Sequence, residues 1–67
     1  MIKLRELRES REITQLELAS VLNISPSTIG MYEQGRRSPD SDTLIKLASY
    51  FGVTVDYLLG VDENEKN

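Results

Sequence analysis

The amino-acid sequence predicts an all-α fold of five short helices, and three observations carry that expectation. Apolar residues recur at three- and four-residue spacing in separate segments. Residues that start and stop helices fall between those segments, leaving connections of only a few residues. Period-two alternation is nowhere sustained, so strands are not expected.

The elements follow in chain order. Residues 2 to about 11 read as an amphipathic helix with Leu4, Leu7, Arg8 and Arg11 at helical spacing, and Lys3, Arg5, Glu6, Glu9 and Glu12 on its outer face. Thr14 stands where an N-cap belongs. It precedes "QLELASVL", in which Leu18, Ala19 and Leu22 share one face, and Asn23 suits the left-handed residue that ends a helix. Ser25 is the next cap, and Pro26 takes the first helical position, where its missing N–H costs nothing. Ile29 and Tyr32 give that third helix its inward face, and Gly35 stops it. The connection "RRSPD" leads to Asp40 or Ser41 as a cap, after which Leu44, Leu47, Ala48 and Phe51 recur at helical spacing and Gly52 closes the fourth helix. Thr54 caps a last short helix, "VDYLL", closed by Gly60.

Composition bounds the function. A chain of 67 residues makes one small domain, assigned to residues 1–60. A domain of that size buries only about 60% of the surface its unfolded chain exposes, so it has room for one core. With no cysteine and no histidine, disulfides, thiolate metal sites and the commonest acid–base group are all unavailable. An enzyme is therefore not expected, and neither is a metal or other cofactor. Asp40 and Asp42 read as helix-start charges and not as a nuclease's metal-binding carboxylates. No apolar run approaches the roughly 18 residues of a membrane span, and "MIKLRELRES" lacks the continuous apolar stretch of a signal peptide, so a cytoplasmic protein is expected. Residues 61–67, "VDENEKN", form an acidic segment expected to be a disordered tail or the start of a linker. That segment holds much of the formal net charge of -3, because residues 1–60 contain seven Lys and Arg against eight Asp and Glu. The folded body is nearly neutral, and where its charges lie matters more than their sum.

The segment from Thr14 to Gly35 is the informative constellation. Only Asn23 and Ile24 separate Leu22 from Ser25, too few residues for the two helices to pack antiparallel, so a helix-turn-helix that exposes the start of its second helix is expected. That second helix carries hydroxyls, a glycine and a methionine outward, with none of the arginines or amides that usually read nucleic acid.

At these residues the chain resembles the five-helix DNA-binding domain of the phage-repressor, Cro and XRE family. The resemblance covers nearly all of residues 2 to 60. It rests on Thr14-Gln15, Leu18-Ala19, the turn through Asn23, Ile29, Tyr32-Glu33 with Gly35, Pro39, Leu44 with Leu47-Ala48, and the ending Val53-Thr54-Val55-Asp56-Tyr57-Leu58-Leu59. It implies a lambda-repressor-like fold and a sequence-specific regulator of transcription, most often a repressor holding a palindromic double-stranded operator as a homodimer. An antitoxin-like or partner-binding module on the same fold is the alternative.

The resemblance also implies roles. Ser25, Pro26, Ser27, Gly30 and Met31 would face the major groove, with methyl contacts and groove shape doing more than hydrogen bonds. Gln15, Thr28, Tyr32, Gln34, Arg36 and Arg37 would hold phosphates. Arg8, on the inner register of helix 1, would pair with Glu33 and orient the recognition helix. Val55, Tyr57, Leu58 and Leu59 would supply the dimer surface. Plainer readings stand beside these: Gln15 as an exposed first-turn glutamine, Ser25 as a cap, Gly30 as a tolerated glycine, Met31 as a surface side chain, the two arginines as a solvated turn, and Leu58 and Val55 as completing the monomer core. Glu17 is a possible contact for RNA polymerase, with a solvated helix surface the plainer reading.

Overall fold

Helix starts and stops set the architecture of the computed structural model, which describes residues 2–61. Met1 and residues 62–67, most of the segment expected to be a tail or linker, lie outside the described residues. Five helices form: α1 (Leu4–Ser10), α2 (Gln15–Leu22), α3 (Pro26–Gln34), α4 (Ser41–Phe51) and α5 (Val55–Leu59). There is no strand among the described residues.

Four of the five begin at a side-chain cap. Thr14 accepts from the Glu17 N–H while the Glu17 carboxylate accepts from the Thr14 N–H at 2.9 Å, a complete capping box. Ser25, Asp40 and Thr54 accept from the N–H groups of Thr28, Thr43 and Tyr57. Asp40, not Ser41, is therefore the cap of α4. Its carboxyl is held below the usual range, first by the Thr43 hydroxyl and N–H and then by Lys46 and Arg37. The start of α1 is fixed differently: the Lys3 N–H donates to the Leu58 carbonyl at 2.8 Å, tying it to α5.

Every helix ends by turning left-handed. Glu12 (φ 56°) and Asn23 (φ 60°) do so without being glycine, and Gly35, Gly52 and Gly60 complete the set. Helix α1 is consequently shorter than its apolar spacing suggests. Glu12, expected on its outer face, lies past the end, where its N–H and that of Ile13 return to the carbonyls of Glu9 and Arg8.

One cluster joins all five helices: Leu4 and Leu7 of α1, Leu18, Ala19 and Leu22 of α2, Ile29 and Tyr32 of α3, Leu47 and Phe51 of α4, and Leu58 of α5. Ile2, Ile13, Ile24, Leu44 and Val53 pack against it. Ile13, Ile24 and Val53 each stand between a left-handed residue and the next cap. Each immediately precedes its cap and stands five residues before Leu18, Ile29 or Leu58, the two positions that a hydrophobic staple joins. Arg11 joins the C-terminal ends of α1 and α4 by donating to the Phe51 carbonyl at 2.9 Å while lying over the Phe51 ring. No described helix is long and apolar enough to cross a membrane.

Candidate nucleic-acid interface

The short turn at Asn23 and Ile24 leaves the start of α3 outside the core. Pro26 fixes the first backbone angle there, and the exposed hydroxyls of Ser25 and Ser27 and the half-buried one of Thr28 gather around the cap. Ser25 Oγ lies 3.1 Å from Ser27 Oγ and 2.8 Å from Thr28 Oγ1. Ser25 is thus committed to the backbone as a cap, while Ser27 projects to solvent beside it.

Behind this end the helices are locked by one carboxylate. Glu33, with only 3% of its side chain exposed, receives Arg8 Nε at 2.6 Å, Arg8 Nη2 at 3.2 Å and Gln15 Nε2 at 3.0 Å. Arg8 also donates through Nη1 to the Ile13 carbonyl at 2.8 Å, so one guanidinium spans α1, α3 and the turn before α2. The hydrogen bond to Glu33 raises the Arg8 pKa above its ordinary value against the opposing effect of burial. An ionised pair with both carboxylate oxygens satisfied is the arrangement burial tolerates.

A groove opens on the outward side, lined by Gln15, Pro26, Ser27, Gly30, Met31, Gln34 and Arg36. Gly30 is buried at its floor because the side chains of Gln15 and Gln34 lie across it. A Cβ built there would sit 3.7 Å from Gln15 Nε2 and 4.0 Å from Gln34 Nε2, ordinary contact distances. Met31 is half-buried on the wall. Arg36 reaches Gln34 Oε1 at 3.4 Å. Arg36 and Arg37 are exposed and form no ion pair among the described residues.

Two expected roles need correction. Tyr32 is only 6% exposed and belongs to the core, so it is not available to hold a phosphate. Its position, three after Ile29, puts its ring on the inner stripe of α3. Leu58 is fully buried and cannot lie in a dimer surface, because α5 turns that side chain onto α1 and α4 to close the core. Val55 is half-buried, and Tyr57 and Leu59 are exposed. Glu17 is exposed but its carboxylate serves the capping box. Sequence reasoning missed the bond from Gln15 to Glu33. The signal for it, an amide at the first position of α2 facing a glycine on the next helix, becomes legible only once α2 and α3 are crossed.

Among the described residues no three His, Cys, Asp or Glu side chains come together as a metal site. The geometry suits surface recognition: a half-polar groove, lined by the cation Arg36 and by Pro26 and Ser27 at the start of α3. Residues 4–58 match the helix-turn-helix family model, and the chain belongs to that family. Its relatives include the HTH-type transcriptional regulator ImmR of Bacillus subtilis, 45% identical over 64 residues, 96% of this chain and 50% of that protein. The cryptic phage CTXphi transcriptional repressor RstR of Vibrio cholerae is 37% identical over 65 residues, 97% of this chain and 57% of that protein. The HTH-type transcriptional activator BcrR of Enterococcus faecalis is 36% identical over 61 residues, 91% of this chain and 30% of that protein. The chain spans about half the length, or less, of these relatives.

Proposed function

We propose that the protein is a sequence-specific, double-stranded DNA-binding regulator of transcription that acts in the cytoplasm. In this reading it is a repressor that occupies a palindromic operator as a homodimer and excludes RNA polymerase. The single observation that supports it best is the placement of α3. Its start is outside the core, its inner face is locked by Ile29, Tyr32 and the Glu33–Arg8 pair, and its outer groove is lined by Arg36, which forms no ion pair among the described residues and is followed by the exposed Arg37.

The parts divide by task. The N–H groups that open α2 at Gln15, the Thr28 hydroxyl, and Arg36 and Arg37 hold phosphates and fix register. Ser27, Pro26, Gly30 and Met31 approach base edges and thymine methyl groups, with Ser25 serving them as the cap. A nearly neutral body does not oppose this, because Arg36 sits at the groove with the exposed Arg37 next to it in the chain, while Glu33 is neutralised internally. Val55, Tyr57 and Leu59 of α5 form the contact between two copies. The exposed outer surface of α2 around Glu17 is then left for RNA polymerase if the bound protein touches it.

Selection of bound sequences from a random duplex pool tests this reading. An enriched inverted repeat is expected, with half-sites about one helical turn apart. Affinity for the selected site should fall steeply with salt. Arg36→Ala and Arg37→Ala should each reduce the salt slope by roughly one unit and weaken all sequences alike. No enrichment and no duplex binding at low salt would show that the fold serves a protein partner instead.

A further inference from the structure

A second groove, about 360 Å³ in volume, opens between α2 and α4 and shares no lining residue with the one beside α3. Val21, Leu22, Ile45, Lys46, Ser49 and Tyr50 line it. Val21, Ile45 and Tyr50 are 55%, 59% and 41% exposed, more than Tyr57 and Leu59 of α5 at 38% each. We infer that this groove docks an amphipathic helix of a partner protein, whose apolar stripe seats on Val21, Ile45 and Tyr50 and whose acidic residue meets Lys46. The inference goes beyond the DNA-binding reading and does not depend on it.

Burying such a patch is favourable, and its rim is braced for contact. The Tyr50 ring stands edge to face against the buried Phe51, with centroids 5.1 Å apart, so it loses little freedom on binding. Both walls are helices, and no strand edge exists among the described residues to pair with an extended chain. The occupant must satisfy its own backbone hydrogen bonds, as a helix does, and present side chains at three- and four-residue spacing.

Charge selects the occupant. Lys46 is the one charged residue in the lining, is exposed, and forms no ion pair among the described residues. Two copies meeting here about a two-fold axis would bring two Lys46 ammonium groups to one interface, with no acid in the lining to offset them. The chain's own acids are poor candidates. Glu6 and Glu9 of α1 already face Lys3 and Arg5, and Glu17, one turn before Val21, is held by its capping box. The acidic segment 61–67 has a single apolar residue, Val61, too little to fill the groove. A separate protein with apolar and acidic residues on one helical face fits both the walls and the charge.

Selection from a displayed library of short helical peptides, against the full chain without DNA, tests the inference. Enriched peptides should carry apolar residues at three- and four-residue spacing beside Asp or Glu, and should shift the amide resonances of Val21, Ile45 and Tyr50 in NMR spectra. Ile45→Asp should weaken them on the order of 10-fold. Lys46→Glu should turn the selected charge from acidic to basic. Both residues are exposed, so both variants keep the fold, and any duplex binding should be unchanged in each. The inference is overturned if no peptide is enriched, if the shifts fall elsewhere, if Ile45→Asp binds as wild type, or if Lys46→Glu selects the same charge. Self-association of the wild-type chain that Ile45→Asp abolishes in sedimentation also overturns it, by giving the groove to a second copy. These readouts contain no DNA, so failure of the DNA-binding reading would leave them as they stand.

Discussion

Glu33 receives three hydrogen bonds from two other helices, and its removal would strand each donor. Arg8 and Glu33 are 12% and 3% exposed in their side chains, so water replaces little of what is lost. Breaking one partner of such a pair costs about 3–5 kcal/mol, while domains of this size have total stabilities on the order of 0.1 kcal/mol per residue. Arg8→Ala and Glu33→Ala should therefore each remove about half or more of the domain's stability, read as a much lower midpoint in a urea titration followed by circular dichroism. The double change Arg8→Met with Glu33→Leu should recover much of the loss, since no charge is then left buried. A single variant melting close to wild type would show that the pair is not structural. Arg8 was legible in the sequence because it keeps the register of Leu4 and Leu7, whereas the Gln15 bond was not, because it depends on how α2 crosses α3. Tyr32 was placed inward by its spacing from Ile29, and burial agrees, while the resemblance also gave it a phosphate. A tyrosine has a polar tip and an apolar ring, and only packing tells which end is used.

The helices themselves were the most legible part, because their punctuation is local chemistry. Three connections repeat one pattern: Glu12-Ile13-Thr14, Asn23-Ile24-Ser25 and Gly52-Val53-Thr54, each a left-handed residue, a β-branched apolar residue and a hydroxyl cap. The middle residue closes one helix and opens the next while packing on the core. Asn23, Gly52 and all the caps fit sequence rules, but Glu12 does not, since glutamate is a poor left-handed residue, and that is why α1 was read too long. Gly30 is the other departure. It sits in helical backbone in the middle of α3, where glycine costs about 1 kcal/mol against alanine, and an added Cβ would meet its neighbours at ordinary distances. Gly30→Ala should thus raise stability by about 0.5–1 kcal/mol, lifting the melting temperature by roughly 4 °C. A lower melting temperature would mean that the amides above it cannot accommodate a methyl. A rise in stability with weaker operator binding would identify the glycine as kept for function.

At the scale of the whole molecule, the proposed homodimer would need a contact between two copies. A standard interface takes about 800 Å² from each partner. That is roughly a fifth of this domain's 4266 Å². The five residues of α5 cannot supply so much, especially with Leu58 turned inward, so the free protein is expected to be monomeric at low micromolar concentration. Adjacent half-sites raise the effective concentration of a weak contact without any new interaction. Two exposed apolar clusters compete for the role: Tyr57 and Leu59 on α5, and Val21, Ile45 and Tyr50 around a groove between α2 and α4. Leu59→Asp and Ile45→Asp separate them. Both are surface changes, expected to alter stability by no more than about 0.5 kcal/mol. If α5 is the contact, Leu59→Asp should abolish cooperative filling of a two-site duplex in sedimentation and gel-shift titrations and leave single half-site binding unchanged. Ile45→Asp should behave as wild type. The reverse result would move the dimer to the α2–α4 groove, and Leu58→Asp, which puts a charge in the core, should simply unfold the protein.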